Sequence, residues 1–179
     1  MQNKKLIISL FSLCLVAIVG LLATVIVFAA TSQNIESKIS INYTATEVAG
    51  SLKVEYKVGS NESVTVGTSS FTAITTAGTL DAASPELSSD NPTVVFTYTF
   101  TNNGGNDAKM TLTDGFKTKT NMTFQYSTNG TEYSSTLPTN GVTATKDGGS
   151  ASIYVKLTIA DTAKNVGISG LYTAVITKA

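Results

Sequence analysis

The side chains that most enzymes use for nucleophilic or acid-base work are scarce in this sequence. It has no His, no Trp and no Arg, all 12 basic residues being Lys, and its single Cys is Cys14, inside an apolar leader. A Ser-His-Asp triad, a Cys-His pair and a histidine-liganded zinc site each need a residue that is missing after that leader. Carboxylate chemistry survives, but Glu47, Glu55, Glu62, Asp107, Asp114 and Asp161 stand singly on strand faces and turns. Cleaving a glycosidic bond needs two carboxylates at a set separation, and no two of these form a motif. The expectation is a protein that is not an enzyme and holds no cofactor. Asn106, Asp107 and Asp114 are the oxygen donors that best suit a hard cation such as Ca2+. Asn and Asp in a Gly-rich loop are ordinary turn residues, however, and no metal site is expected.

Binding chemistry is thin as well. Without Arg there is no planar fork for phosphate or guanine, and apart from Lys4 and Lys5 no basic run occurs, so nucleic acid is not an expected partner. Thr97, Thr99 and Thr101 form a polar stripe, with Thr111 and Thr113 expected beside it, that suits ice or a sugar but also suits any exposed strand. Tyr133, Tyr154 and Tyr172 are the candidates for stacking a sugar. Lys53 or Lys57 with Asn165 is one way of writing an internal isopeptide bond, no better than other pairings. The four glycosylation sequons match what chance gives a chain so rich in Asn, Ser and Thr. Leu137-Pro138-Thr139-Asn140-Gly141 reads as a turn.

The elements that must carry these residues are strands. Met1 to Lys5 bears two Lys, and Leu6 to Ala30 follows with 25 mostly apolar, uncharged residues. That is either a secretory signal peptide cut between Ala29 and Ala30 or a membrane anchor over 1–29. The remainder, 30–179, has the length of one domain. Of the 179 residues 29 are Thr, which favours pleated, half-buried surfaces. Ile39, Ile41, Tyr43 and Ala45 alternate with polar residues, as do Leu52, Val54, Tyr56 and Val58, then Val94, Phe96, Tyr98 and Phe100. Gly50 reads as the turn between the first two runs. Asn102 to Asn106 predicts a hairpin into Met110 and Leu112, and Asn129-Gly130 predicts a two-residue turn after Met122, Phe124 and Tyr126. Asp147-Gly148-Gly149 opens a strand with Ile153, Val155, Leu157 and Ile159, and Leu171 to Lys178 closes the chain. Ala77 to Pro92 predicts a crossover or a short edge helix. About eight short strands make an all-β, antiparallel sandwich, jelly-roll or Ig-like.

Taken together, the Lys-tipped leader, Ser37 to Val48, TVVFTYTFTNNGGNDAKMTLTD at 93–114 and SIYVKLTIADTAKNVGISGLYTAVI at 152–176 resemble the TasA and camelysin type of exported fibre and surface proteins. The resemblance implies a jelly-roll-like fold whose freed N-terminal segment inserts as a strand into the next subunit. On this sequence the donor is Ala30 to about Thr46, with Ile35, Ile39, Ile41 and Tyr43 as plugging side chains. It implies a secreted, extracellular structural protein of a fibre, matrix or biofilm, with itself as partner and the membrane touched only through the N-terminal segment. Phe28-Ala29-Ala30-Thr31-Ser32 departs from the family's processing pattern, and with no His the metalloprotease label of some relatives does not carry over. The alternative is a monomeric module, tethered by an uncleaved leader, that binds a glycan or host protein. Whether the first strand pairs within its own domain or with a neighbour is open, since the alternation is the same in both.

Overall fold

In the computed structural model, residues 32–34, 39–72, 76–82, 85–88, 90–114, 121–160 and 172–179 are described. The leader, Ala29, Ala30, Ile35 and Asn165 lie outside them. Twelve strands run in chain order among the described residues: β1 (Ser32–Asn34), β2 (Ile39–Thr46), β3 (Gly50–Val58), β4 (Val64–Phe71), β5 (Thr76–Ala82), β6 (Glu86–Ser88), β7 (Thr93–Asn102), β8 (Ala108–Thr113), β9 (Met122–Ser127), β10 (Val142–Ala144), β11 (Gly149–Ile159) and β12 (Thr173–Lys178). Two five-stranded sheets form, ordered β10-β8-β12-β2-β5 and β4-β3-β7-β11-β9, with a small β1-β6 ribbon beside them. Every pairing is antiparallel except β2 with β12. The protein is all-β and sandwich-like, and among the described residues no helix is long and apolar enough to cross a membrane.

Period-two sequence dictates this packing, because alternate side chains of each strand fall on one side of the sheet. Val94, Phe96, Tyr98 and Phe100 of β7 are fully buried, as are Leu52 and Val54 of β3 and Ile153 and Leu157 of β11. Met110, Ala174 and Ile176 meet them from the other sheet in one continuous core.

Apart from the β3–β4 hairpin, each link between successive strands of the two large sheets passes from one sheet to the other. This overturns the hairpin expected at Asn102 to Asn106. Both edges of β7 are taken, by β3 and β11, so β8 must join the opposite sheet. Asn102 holds the resulting arch: it is buried, its Nδ2 donates to the carbonyls of Asn106 (2.9 Å) and Ala144 (3.1 Å), and its Oδ1 accepts from the Gly104 N–H (3.0 Å).

Three further expectations change. Over 77–92 the described residues hold β5 and β6 and no helix; only Leu80 and Leu87 there reach the core among large side chains, which is why the strand pattern was weak. Gly50 is not the turn but the first residue of β3, where a Cβ would come within 2.3 Å of the Thr101 carbonyl oxygen. At Asn129-Gly130 only Gly130 has positive φ (77°), and the turn leads to a single bridge between Tyr126 and Ser134 while β9 pairs with β11. Asp147 (φ 59°) and Gly148 (φ 99°) do open β11 as expected.

Candidate functional site

β2 carries the residues expected to act as a donor strand, and it sits inside this chain's own sheet. It runs parallel to β12, with Tyr43 opposite Ala174 and Ala45 opposite Ile176, and antiparallel to β5, from Ile39 opposite Ala82 to Ala45 opposite Thr76. Ile41 and Ala45 are fully buried and Tyr43 nearly so, while Asn42 and Thr46 are exposed. The alternation therefore marks the strand and its inward face correctly, and the strand's backbone is paired on both sides.

Tyr43 is the best anchored of these side chains. Its ring lies over Gly78 of β5, where a Cβ would stand 2.5 Å from Tyr43 Oη and 2.7 Å from its Cζ. Glycine at this position makes the seat for the ring. The Oη hydrogen-bonds Ser69 Oγ of β4 in the opposite sheet. Ring stacking continues from Tyr43 to Phe71 (centroids 6.0 Å apart) and from Phe71 to Phe100 (6.1 Å), so β2 is tied through aromatic contacts to the centre of the other sheet. On the outer face Thr79 Oγ1 donates to Asn42 Oδ1 at 2.9 Å.

Only Glu47, Val48 and Ala49 join β2 to β3. Glu47 is exposed and has φ 54°, the left-handed region that side chains with a Cβ enter at a cost of roughly 1–2 kcal/mol. A cleft of about 100 Å³ lies along this connection, lined by Glu47, Val48, Ala49, Asn102, Asp107 and Lys178. Nothing in the sequence distinguishes Glu47 from the other scattered acids. Its strain follows from making a sheet-to-sheet crossing in three residues.

The other candidate residues divide between the two outer faces. Thr97, Thr99 and Thr101 lie on the outer face of the β4-β3-β7-β11-β9 sheet, where Thr99 pairs its hydroxyl with Ser152 (3.0 Å) and Thr101 with Ser150 (2.9 Å). Thr111 and Thr113 are on β8 in the other sheet and do not extend this stripe. Tyr172, expected as an exposed aromatic, is fully buried. Tyr133 and Tyr154 are half-buried neighbours on the first face. The Tyr154 ring rests on Gly130, and Lys156 Nζ lies 5.3 Å from the Tyr133 ring centroid. The Tyr133 phenol is raised above its ordinary pKa, first by burial and then by the charge of Tyr154.

The three oxygen-donor residues are not brought together. Asp107 Oδ1 accepts the Lys146 N–H (2.9 Å) and the Asn106 carbonyl accepts from Asn102, both as turn residues. Asp114 follows the far end of β8, roughly 20 Å along the strand. No protein-family model matches this sequence, and a comparison with curated proteins finds no match.

Proposed function

We propose that this is a secreted, non-enzymatic surface or matrix protein that assembles head to tail by strand exchange, β2 of one copy filling the slot between β12 and β5 of the next. The observation that carries this reading is the attachment of β2. It is the first strand of the two large sheets, its inward side chains complete the core, and a three-residue connection with left-handed Glu47 is all that joins it to β3. A short hinge under strain favours exchange of an identical element between copies, because the exchanged strand makes the same contacts while the hinge relaxes. Reciprocal exchange gives a closed dimer, whereas head-to-tail exchange leaves a slot at one end and a strand at the other and gives a fibre. Backbone pairing with β12 and β5 supplies affinity, and Ile41, Tyr43 and Ala45 supply register.

The reading takes the sandwich as jelly-roll-like and the leader as a signal that is cut before Ala30, freeing the arm. The resemblance to TasA and camelysin-type proteins points the same way. The test is complementation in trans. A chain beginning at Ala49 is expected to lose cooperative folding, since the slot of Ile41 and Tyr43 is emptied, and to regain it when a peptide of residues 30–46 is added, read by circular dichroism and NMR. A chain from Ala49 that folds as a stable monomer and ignores the peptide would show that β2 is dispensable and overturn the proposal.

A further inference from the structure

The outer face of the β4-β3-β7-β11-β9 sheet brings together groups that are far apart in the sequence. In one row across it lie Lys57, Val95, Lys156 and Gln125, set by the register of β3, β7, β11 and β9. The two lysines are therefore two strand spacings apart, roughly 10 Å, on one line. The next row holds Glu55, Thr97 and Tyr154. Glu55 is the one carboxylate on the described strands of this face, and Lys53 holds it at 2.8 Å. With Lys53, Lys57 and Lys156 against Glu55, the strand face carries an excess of positive charge although the whole chain is neutral. Exposed Glu132 lies on the adjoining turn.

Two half-buried tyrosines stand beside this basic row. Tyr154 is half-exposed with its ring backed by the Gly130 main chain. Tyr133 is brought beside it by the Tyr126–Ser134 bridge and lies under the Lys156 ammonium. A cation over a tyrosine ring is attracted by the ring quadrupole, so Tyr133 positions Lys156. An aromatic ring backed by a turn, two ammonium groups in one row and flanking hydroxyl and amide groups match a sugar ring that carries a carboxylate. Its C–H face packs on the aromatic ring, its carboxylate meets lysine, and its hydroxyls bond Thr97 and Gln125.

We propose that this face binds an acidic, uronate-bearing polysaccharide, with Tyr154 as the stacking platform, Lys57 and Lys156 pairing with carboxylates, and Tyr133 as a positioning residue for Lys156. The site lies on the sheet that does not contain β2, so it stands whether or not strand exchange occurs. The chain from Ala30 to Ala179, which contains every core residue described, is titrated with oligogalacturonate and with its methyl-esterified form, by NMR or calorimetry. Expected are binding to the acid that weakens with salt, much weaker binding to the ester, and a loss of about three- to tenfold in Tyr154→Ala. Lys57→Gln and Lys156→Gln, which keep the fold because both lie on the outer face, are expected to weaken binding similarly, while Lys109→Gln on the other sheet is not. Failure to bind, equal binding of the ester, or equal weakening by Lys109→Gln would overturn the proposal, the last by showing diffuse attraction to charge only.

Discussion

Tyr172, the residue before β12, ties the two sheets together in the core. Its ring meets Tyr126 edge-on at 5.6 Å and Phe124 at 6.4 Å, and its hydroxyl hydrogen-bonds the Tyr126 hydroxyl in the opposite sheet. Tyr98 Oη lies 3.5 Å from the Tyr172 carbonyl oxygen. Tyr172→Phe keeps the ring but takes a partner from the Tyr126 hydroxyl in the core, and a loss of about 1–3 kcal/mol in urea unfolding is expected. In the double variant with Tyr126→Phe the two losses should be less than additive, because both remove the same bond.

Burial raises the pKa of Tyr98 and of Tyr172 above the usual value near 10; at Tyr172 the Tyr126 hydrogen bond adds to it, as do the nearby charges. The folded chain thus keeps protons that the unfolded chain releases. This contribution is complete below about pH 10 and is lost as pH climbs past it, at about 1.4 kcal/mol per pH unit for each tyrosine. Unfolding free energies measured between pH 9 and 11 should therefore fall, and fall less steeply in Tyr98→Phe. An unchanged slope in that variant would contradict the assignment. Tyr172 follows residues outside any alternating run, so sequence alone offered it as an exposed sugar platform when it is a core residue.

Among the elements, strands were legible where several large apolar side chains alternate, as in β2, β3, β7 and β11. They were illegible where one side chain carries the burial, as Leu80 does in β5. Turn chemistry located reversals such as Asp147-Gly148 but not which sheet the chain enters next, because Asn102 forms an arch with the residue types that also make a hairpin. The inward face of β2 was readable from period two; its seat on Gly78 and the strained Glu47 were not, since each depends on what lies across the sheet. Glu47 supplies a direct test of the hinge. Glu47→Gly removes the left-handed penalty at the cost of some chain entropy, a net gain of about 0.5–1 kcal/mol for the closed monomer. Its thermal midpoint should rise and its assembly, followed by light scattering, should slow; faster assembly would mean that the hinge conformation opposes exchange.

At the scale of the whole molecule, the first and last strands of the two large sheets, β2 and β12, are neighbours and the one parallel pair among the described strands. The first and last strands of the large sheets thus lie side by side, and a departing β2 draws with it only β1, whose pairing with β6 is three residues long. No periodicity announces a parallel pairing between residues so far apart in the chain, which is why self-pairing and pairing with a neighbour looked alike in the sequence. The most direct test pins β2 to its own chain. Asn42 and Thr79 face each other across β2 and β5, exposed and already hydrogen-bonded, a separation suited to a disulfide. In the chain from Ala30 to Ala179, which has no cysteine of its own, Asn42→Cys with Thr79→Cys is oxidised as a monomer and its internal crosslink verified by mass. Sedimentation and negative-stain microscopy should then find monomers only, with filaments appearing when the disulfide is reduced. Filaments grown from the intact crosslinked monomer would contradict strand exchange by β2.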